Sequence, residues 1–297
     1  MRGPFPRRLL PKPPTTTSRA RRRHLHIHHV HLPTQWPTYT PYLLASSLQT
    51  TLAAPHHAHK ASPTTTPAPN AILLSFTPTP TYTLGRRQRS LPASQLTTLS
   101  APLSVHDPFL SPAKQRQPLL FTPEIHHSLR GGLTTYHGPG QLVLWPIIDL
   151  RSPHHPHLSV RAYASLLEDT TASVLRERFG ISTFRDEENP GVWVRGNTRQ
   201  GPPDRKIAAL GIHLRRHITT LGLALNITVP TSGDAGLNPW ARFTPCGIPD
   251  RDVTSVAAEI GADLSPDATE DVRRELDLEV IAGAWCAEFK RRLEAGG

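Results

Sequence analysis

Two short apolar runs, Ala71–Phe76 and Thr81–Leu84, follow one another closely, the second ending on Gly85-Arg86-Arg87. Their length and their Pro and Gly boundaries predict strands. Leu142–Leu150 is a longer run with Pro146 inside it. Proline cannot donate to a ladder, so that run predicts an edge strand or a bulge. Gly191–Val194, Ile207–Leu214 and Gly222–Val229 complete the set, the last two as a hairpin. Helical spacing of Val160, Tyr163, Leu167, Val174 and Leu175 marks a helix over Ser159–Phe179, closed by Gly180. Tyr42, Ala45 and Gln49 share one face of a short helix over Tyr42–Gln49, and Val253–Ile260 forms another. A last helix spans about residues 267–293, with Ser265 as N-cap and Pro266 at its first position. Asp267, Glu270 and Asp271 at its start and Lys290, Arg291 and Arg292 at its end suit the helix dipole. Strands in twos and threes with helices between them predict an α/β (α+β) domain: a mixed, mostly antiparallel sheet with flanking helices. Residues 50–69, rich in Pro, Thr and His, and residues 88–122, without clear period, read as loop insertions.

Composition changes this picture at the N-terminus. The 297 residues carry a formal net charge of +10, yet Arg2, Arg7, Arg8, Lys12, Arg19 and Arg21–Arg23 all precede the first acid, Asp107. Without those eight, 25 bases face 23 acids, so the folded part is nearly neutral and shows no basic face for nucleic acid. A basic, Ser/Thr-rich and acid-free stretch has the composition of a mitochondrial presequence. Residues 1–40 are therefore expected to be a transit peptide or disordered, with the catalytic domain over 41–297 and the protein in the mitochondrial matrix. The histidines at 24, 26, 28, 29 and 31 fall inside that stretch and are assigned no metal. No run reaches the roughly 20 apolar residues of a membrane span. Cys246 and Cys286 are the two cysteines, too few for a disulfide framework.

The chemistry gathers around residues 130–141, where Arg130, Tyr136, His137 and Gln141 sit among four glycines and a proline. Glycines let a ligand approach the main chain and free N–H groups for it. Cys286 lies in an apolar helical segment and reads as a small hydrophobe. Cys246 sits in a Pro-Cys-Gly turn and is the candidate nucleophile. A thiol with an ordinary pKa of about 8.5 needs a positive neighbour or a base. Lys206, at the start of the strand Ile207–Leu214, is one candidate and His137 the other.

These blocks carry a family resemblance. Arg-Gly-Gly-x-x-Thr-Tyr-His-x-Pro-Gly-Gln at 130–141, Lys-Ile-Ala-x-x-Gly-Ile at 206–212, Gly-Leu-Ala-Leu-Asn at 222–226 and Pro-Cys-Gly at 245–247 resemble the lipoyl(octanoyl) transferases. Tyr42-x-x-Ala45-x-x-x-Gln49, Tyr82–Arg87 and Val253-Thr254-Ser255 with Glu259 agree with it, so the likeness spans about residues 42–289. The resemblance implies a biotin/lipoate protein ligase-like fold. It also implies octanoyl transfer from acyl carrier protein to a lysine of lipoyl domains, through a thioester on Cys246, with Lys206 handling the protons. The acceptors would include glycine cleavage H protein and 2-oxoacid dehydrogenase E2 subunits. Arg130, Gly131, Gly132, Leu133, Thr134, Thr135, Tyr136 and His137, with Ala209, Leu210, Gly211, Gly222, Leu223 and Ala224, would bind the substrate. No cofactor or metal is expected, and a monomer is. Departures are Trp145 where the family usually has Tyr, Leu221 where His is usual, and a longer loop between Asn226 and Cys246. Two other readings share some of these features: an ATP-dependent lipoate or biotin ligase, and a catalytically idle protein that binds an acyl carrier.

Overall fold

The apolar runs assemble into one eight-stranded mixed sheet and two smaller sheets. The computed structural model describes residues 25–33, 38–106, 119–196, 203–247, 251–264 and 268–296; the Cys246 side chain, like Ser265, Pro266 and Asp267, lies outside that description. In chain order the elements are β1 (Ile27–His31), α1 (Tyr42–Ala61), β2 (Ala71–Phe76), β3 (Thr81–Leu84), α2 (Ala93–Leu99), β4 (Leu103–Val105), β5 (Leu119–Phe121), β6 (Glu124–His127), β7 (Thr134–His137) and β8 (Gln141–Ile147). There follow α3 (Val160–Phe179), β9 (Phe184–Arg185), β10 (Gly191–Val194), β11 (Arg205–Arg215), β12 (Ile218–Asn226), β13 (Asp252–Val253), α4 (Val256–Ile260), α5 (Glu270–Glu275) and α6 (Leu278–Ala295).

The large sheet runs β1-β2-β8-β12-β11-β10-β9, with β13 added beside β11. Only β1–β2 and β11–β13 pair in parallel, so the expected mostly antiparallel sheet is what forms. One face is covered by α3, α4 and α6, whose Tyr163, Leu167, Val256, Trp285 and Phe289 pack on Leu144, Ala208, Leu223 and Leu225. The other face meets α1 through Tyr42, Ala45, Phe76, Val143 and Trp145. Beside α1 stands the small sheet β6-β3-β7, over a separate aromatic core of Tyr39, Tyr82, Tyr136 and Trp240. Among the described residues no helix is long and apolar enough to cross a membrane.

Local signals explain several elements directly. The Ser159 side chain accepts from Ala162 N to start α3, and Gly180, at φ 67°, ends it in the left-handed conformation. The β11–β12 hairpin turns on Arg216 and His217, both left-handed at φ 53° and 69°, as a two-residue primed turn demands.

Five expectations are corrected. First, residues 25–31 do not lie outside the fold: β1 pairs in register with β2, Leu25 is buried, and His29 Nε2 and His31 Nδ1 each hydrogen-bond Ser75 Oγ at 2.8 Å. Second, α1 runs 20 residues through Pro55, so residues 50–61 are helix. A helical proline costs about 3 kcal/mol. Burial of Ala53 and His56 against the sheet, one and two turns beyond Gln49, and the Lys60–Asp149 ion pair at 2.7 Å work against that cost. Third, Pro146 lies on a central strand. Its nitrogen faces β12 just past Leu144↔Leu223, where that ladder stops. There the Thr219 hydroxyl takes over, accepting from Ile148 N at 3.0 Å and donating to Pro146 O at 2.9 Å. Fourth, the last helix is two: Asp277 caps α6 by accepting from Val280 N at 2.8 Å, which breaks the run after α5. Fifth, residues 88–122 contain α2 and the β4–β5 pair. Arg242 binds them to the core by donating to Ala101 O at 2.6 Å and Pro102 O at 2.7 Å.

Candidate active site

A β-bulge sets the direction of Lys206. Val192 pairs with Ala208 but Trp193 pairs with Lys206, so Ile207 is an extra residue in β11. Ile207 and Ala208 therefore both enter the core beneath α3, and Lys206 turns to the opposite face with Ala209 and Gly211. Bulges of this kind re-aim a side chain without ending the strand. The lysine is 7 % exposed, donates from Nζ to Pro190 O at 3.1 Å, and stands 4.5 Å from the centre of the Trp193 ring. Arg251 lies over the same ring at 4.7 Å and pairs with Asp186. Burial opposes the charge on Asp186, but hydrogen bonds from Asn189, Arg251 and two backbone N–H groups hold its carboxyl down at about 2.

On that face lies a cavity of about 740 Å³, between the large sheet and the loop before β7. Arg130, Gly131, Gly132, Leu133, Thr134, Thr135 and His137 line it, with Lys206, Ala209, Leu210, Gly211, Gly222, Leu223 and Ala224. These residues come from three stretches of the chain: the loop with β7, β11 and β12. Tyr136 does not join them. Alternation along β7 sends its ring into the aromatic core, 5.3 Å from Tyr82 and 5.7 Å from Trp240, so its expected place among the substrate-binding residues is corrected. The sequence reading left out Glu188, Asn189 and Pro190, which close the cavity beside Lys206, and Val160 and Ala164 of α3. A Pro-Gly pair opening a strand was their only sequence signal.

The loop is pinned from beneath. Arg86 N, Arg87 N and Gly85 N donate to Arg130 O, Gly132 O and Leu133 O at 3.0, 3.2 and 3.2 Å. The Arg130 guanidinium reaches Thr83 through its carbonyl, at 2.6 Å, and its hydroxyl, at 2.9 Å. Gly211 makes room for it, since a Cβ there would lie 2.7 Å from Arg130 Cδ. A Cβ on Gly85 would lie 2.5 Å from Gly132 O and 2.6 Å from Gly131 O, both rigid backbone atoms. Gly85→Ala is therefore expected to displace the loop at about 1–3 kcal/mol. At 1.4 kcal/mol per tenfold, that is roughly a ten- to hundredfold loss of kcat/KM, with a Tm drop of about 2–4 °C per kcal/mol. Wild-type kinetics for Gly85→Ala would show that the loop position is immaterial.

His137 is buried, and its Nδ1 has no hydrogen-bond partner among the described residues. Burial first, then the Arg130 charge, push its pKa down to about 3, which makes it a poor proton acceptor. Tyr42 stacks on His137 at 5.6 Å and meets Trp145 edge-on at 5.5 Å. Trp145 also packs on Phe76 at 4.8 Å, so this departure from the usual Tyr fills an apolar wall. Leu221, the other departure, lines the cavity in a left-handed conformation at φ 61°.

The backbone of Cys246 lies in a 3₁₀ turn, Pro245–Gly247, which stands beside β7. It is close enough that a Cβ on Gly247 would sit 2.6 Å from Leu133 Cδ1. A relay of amides ties the remaining pieces together. Gln141 Nε2 donates to Asn226 Oδ1 at 2.8 Å, Asn226 Nδ2 to Thr254 O at 2.9 Å, and Thr254 N to Lys206 O at 3.0 Å. Glu259 closes it, accepting from Thr254 Oγ1 at 2.6 Å and from both ends of the Arg205 fork at 2.9 and 3.1 Å. Among the described residues no three His, Cys, Asp or Glu gather to hold a metal ion.

Comparison with known proteins places these features. The family model described as the lipoyl protein ligase A/B catalytic domain matches residues 41–275. An octanoyltransferase of Mycolicibacterium gilvum is 42 % identical over 154 residues, 52 % of this chain and 59 % of that protein. One from Mycobacterium leprae is 36 % identical over 205 residues, 69 % of this chain and 71 % of that protein. The chain spans between about half and three-fifths of the first curated relatives it matches. The crystal structure of P. falciparum LipL1 in complex with lipoate aligns at a TM-score of 0.47 and 10 % identity, covering 90 % of this chain and 62 % of that one. On the family match and these identities, the chain belongs to the lipoyl protein ligase A/B catalytic domain family.

Proposed function

We propose that the protein transfers an octanoyl group from acyl carrier protein to the acceptor lysine of lipoyl domains, through a thioester on Cys246. The carrying observation is the cavity that joins the Arg130–His137 loop to the re-aimed Lys206 and stands beside the Pro245–Gly247 turn. The Cys246 thiolate attacks the donor carbonyl, the C–S bond to the carrier breaks, and Lys206 protonates the leaving thiol. The acceptor amine then attacks the acyl-enzyme, Lys206 accepts its proton, and the Cys246 sulfur leaves. Thioester-to-amide transfer runs downhill, so neither nucleotide nor metal is required. Ala209 and Ala224 leave room for a narrow chain, and burying it contributes about 0.8 kcal/mol per methylene. Arg86 and Arg87 line the same cavity and suit a donor borne on an anionic arm.

Intact-mass measurement after mixing the protein with octanoyl-carrier protein, without nucleotide, tests this. One added octanoyl group is the expected result; an unmodified chain that needs ATP for activity would instead establish a ligase.

The basic, acid-free N-terminal stretch supports an address in the mitochondrial matrix. Because β1 and Leu25 belong to the fold, processing should cut upstream of Leu25. N-terminal sequencing of the protein purified from mitochondria reads this directly. A start beyond Leu25 would contradict it.

A further inference from the structure

The amide between Pro190 and Gly191 is held at both ends by charged side chains. Its carbonyl accepts from Lys206 Nζ at 3.1 Å, and its N–H donates to Glu168 Oε1 at 2.8 Å. Glu168 projects from α3 and is 7 % exposed, an uncommon place for a carboxylate without a task. A peptide unit is planar, with N–H and C=O pointing in opposite directions, so fixing one end aims the other. Gly191, at φ 138°, is what lets the lysine stem pass: a Cβ there would meet Ala208 O at 2.7 Å and Lys206 Cε at 3.2 Å.

We propose that Glu168 is a positioning residue for Lys206, acting through the Pro190–Gly191 amide. It does not touch the reacting atoms. It fixes the ledge on which the Lys206 ammonium rests, at the end of the cavity closed by Asn189 and Pro190. The other charged groups around this pair are Arg185 and Asp169, which form an ion pair, and Arg251 with Asp186 across the Trp193 ring. None of them bonds the Pro190–Gly191 amide. Burial, the largest influence, pushes the Glu168 pKa up, while the Gly191 N–H, Arg185 and Lys206 work the other way.

The proposal rests on the acyl-transfer reading for its kinetic consequence, but not for its structural one. Two variants separate the possibilities. Glu168→Gln keeps an acceptor for the Gly191 N–H and drops the charge. Glu168→Asp keeps the charge but is one methylene too short to reach it. Positioning predicts a kcat within about threefold of wild type for Glu168→Gln, and a loss of about tenfold or more for Glu168→Asp, with donor KM little changed in both. The reverse order, or wild-type kcat in both, would overturn it. A second readout needs no turnover. Lys12, Lys60, Lys114, Lys206 and Lys290 are the only lysines, so ¹³C reductive methylation gives few resonances, and Lys206→Arg identifies the relevant one. That resonance should stay single and sharp in Glu168→Gln, as in wild type, and broaden or split in Glu168→Asp, where the amide is no longer held. A single sharp resonance in all three would also overturn the proposal. If wild type forms no acyl-enzyme, the transfer reading fails while this measurement still decides the role of Glu168.

Discussion

Cys246→Ala is expected to reduce octanoyl transfer to background, a loss on the order of 10⁶-fold if both chemical steps run through the thiol. The expectation follows from where the turn sits. Pro245–Gly247 stands beside β7, with Gly247 against Leu133, a residue that lines the cavity. Cys286 supplies the control. It lies on α6, packed against the core, where burial pushes its thiol up to about 11. A thiol of that kind holds almost no thiolate at neutral pH. Cys286→Ala should therefore keep wild-type activity and still gain one octanoyl group, while Cys246→Ala gains none. Transfer rates and intact masses of the two variants measure this together. Activity within about tenfold of wild type in Cys246→Ala would remove the covalent intermediate and favour direct attack on a bound acyl donor.

Local signals made much of this molecule readable. The α3 boundaries follow from Ser159 and Gly180, and the β11–β12 hairpin follows from two apolar runs of matching length. Where neighbours distant in sequence decide, the reading failed. Pro55 and the Thr/His-rich run around it argue for a loop, but Ala53 and His56 continue the face begun by Tyr42 and bury against the sheet. Pro146 argues for an edge, but the Thr219 hydroxyl from β12 serves the groups its ring leaves without a ladder. The basic N-terminal stretch hid a short strand whose histidines meet a buried serine 44 and 46 residues away.

The site divides in the same way. Arg130–Leu133 and the small residues of β11 and β12 stand out in the sequence because close approach needs glycine and alanine: the register sets Ala209 opposite Ala224 on the cavity wall, while Gly211 gives its space to Arg130 and Gly222 to the Leu144 carbonyl. Tyr136 was misplaced because the resemblance carries it over with the rest of its block, while its ring joins Tyr82 and Trp240 in the aromatic core. Glu168 and Pro190 carried no motif. Their relation to Lys206 exists only once α3 is laid across β10 and the bulge has turned the lysine around.

That bulge makes the second large effect specific. Lys206→Met is expected to lower transfer by about 10²–10⁴-fold, the range for removing a general acid–base group. Methionine keeps an unbranched apolar stem for the passage beside Gly191 and the Trp193 ring, so the fold should tolerate it. What disappears is the ammonium on Pro190 O. Both half-reactions should suffer. Acylation loses the proton for the departing thiol and the positive charge that favours the Cys246 thiolate; deacylation loses the acceptor for the amine proton. Single-turnover measurements of each step separate them. A defect confined to acylation would mean that Lys206 serves only to ionise the thiol. A defect in both would mean that one proton shuttles across the whole reaction. Lys206→Arg adds a discriminating case, since it keeps the charge but cannot give up its proton near neutral pH. Acylation should then recover in part while deacylation stays slow, because thiolate formation asks only for charge and amine attack asks for a base.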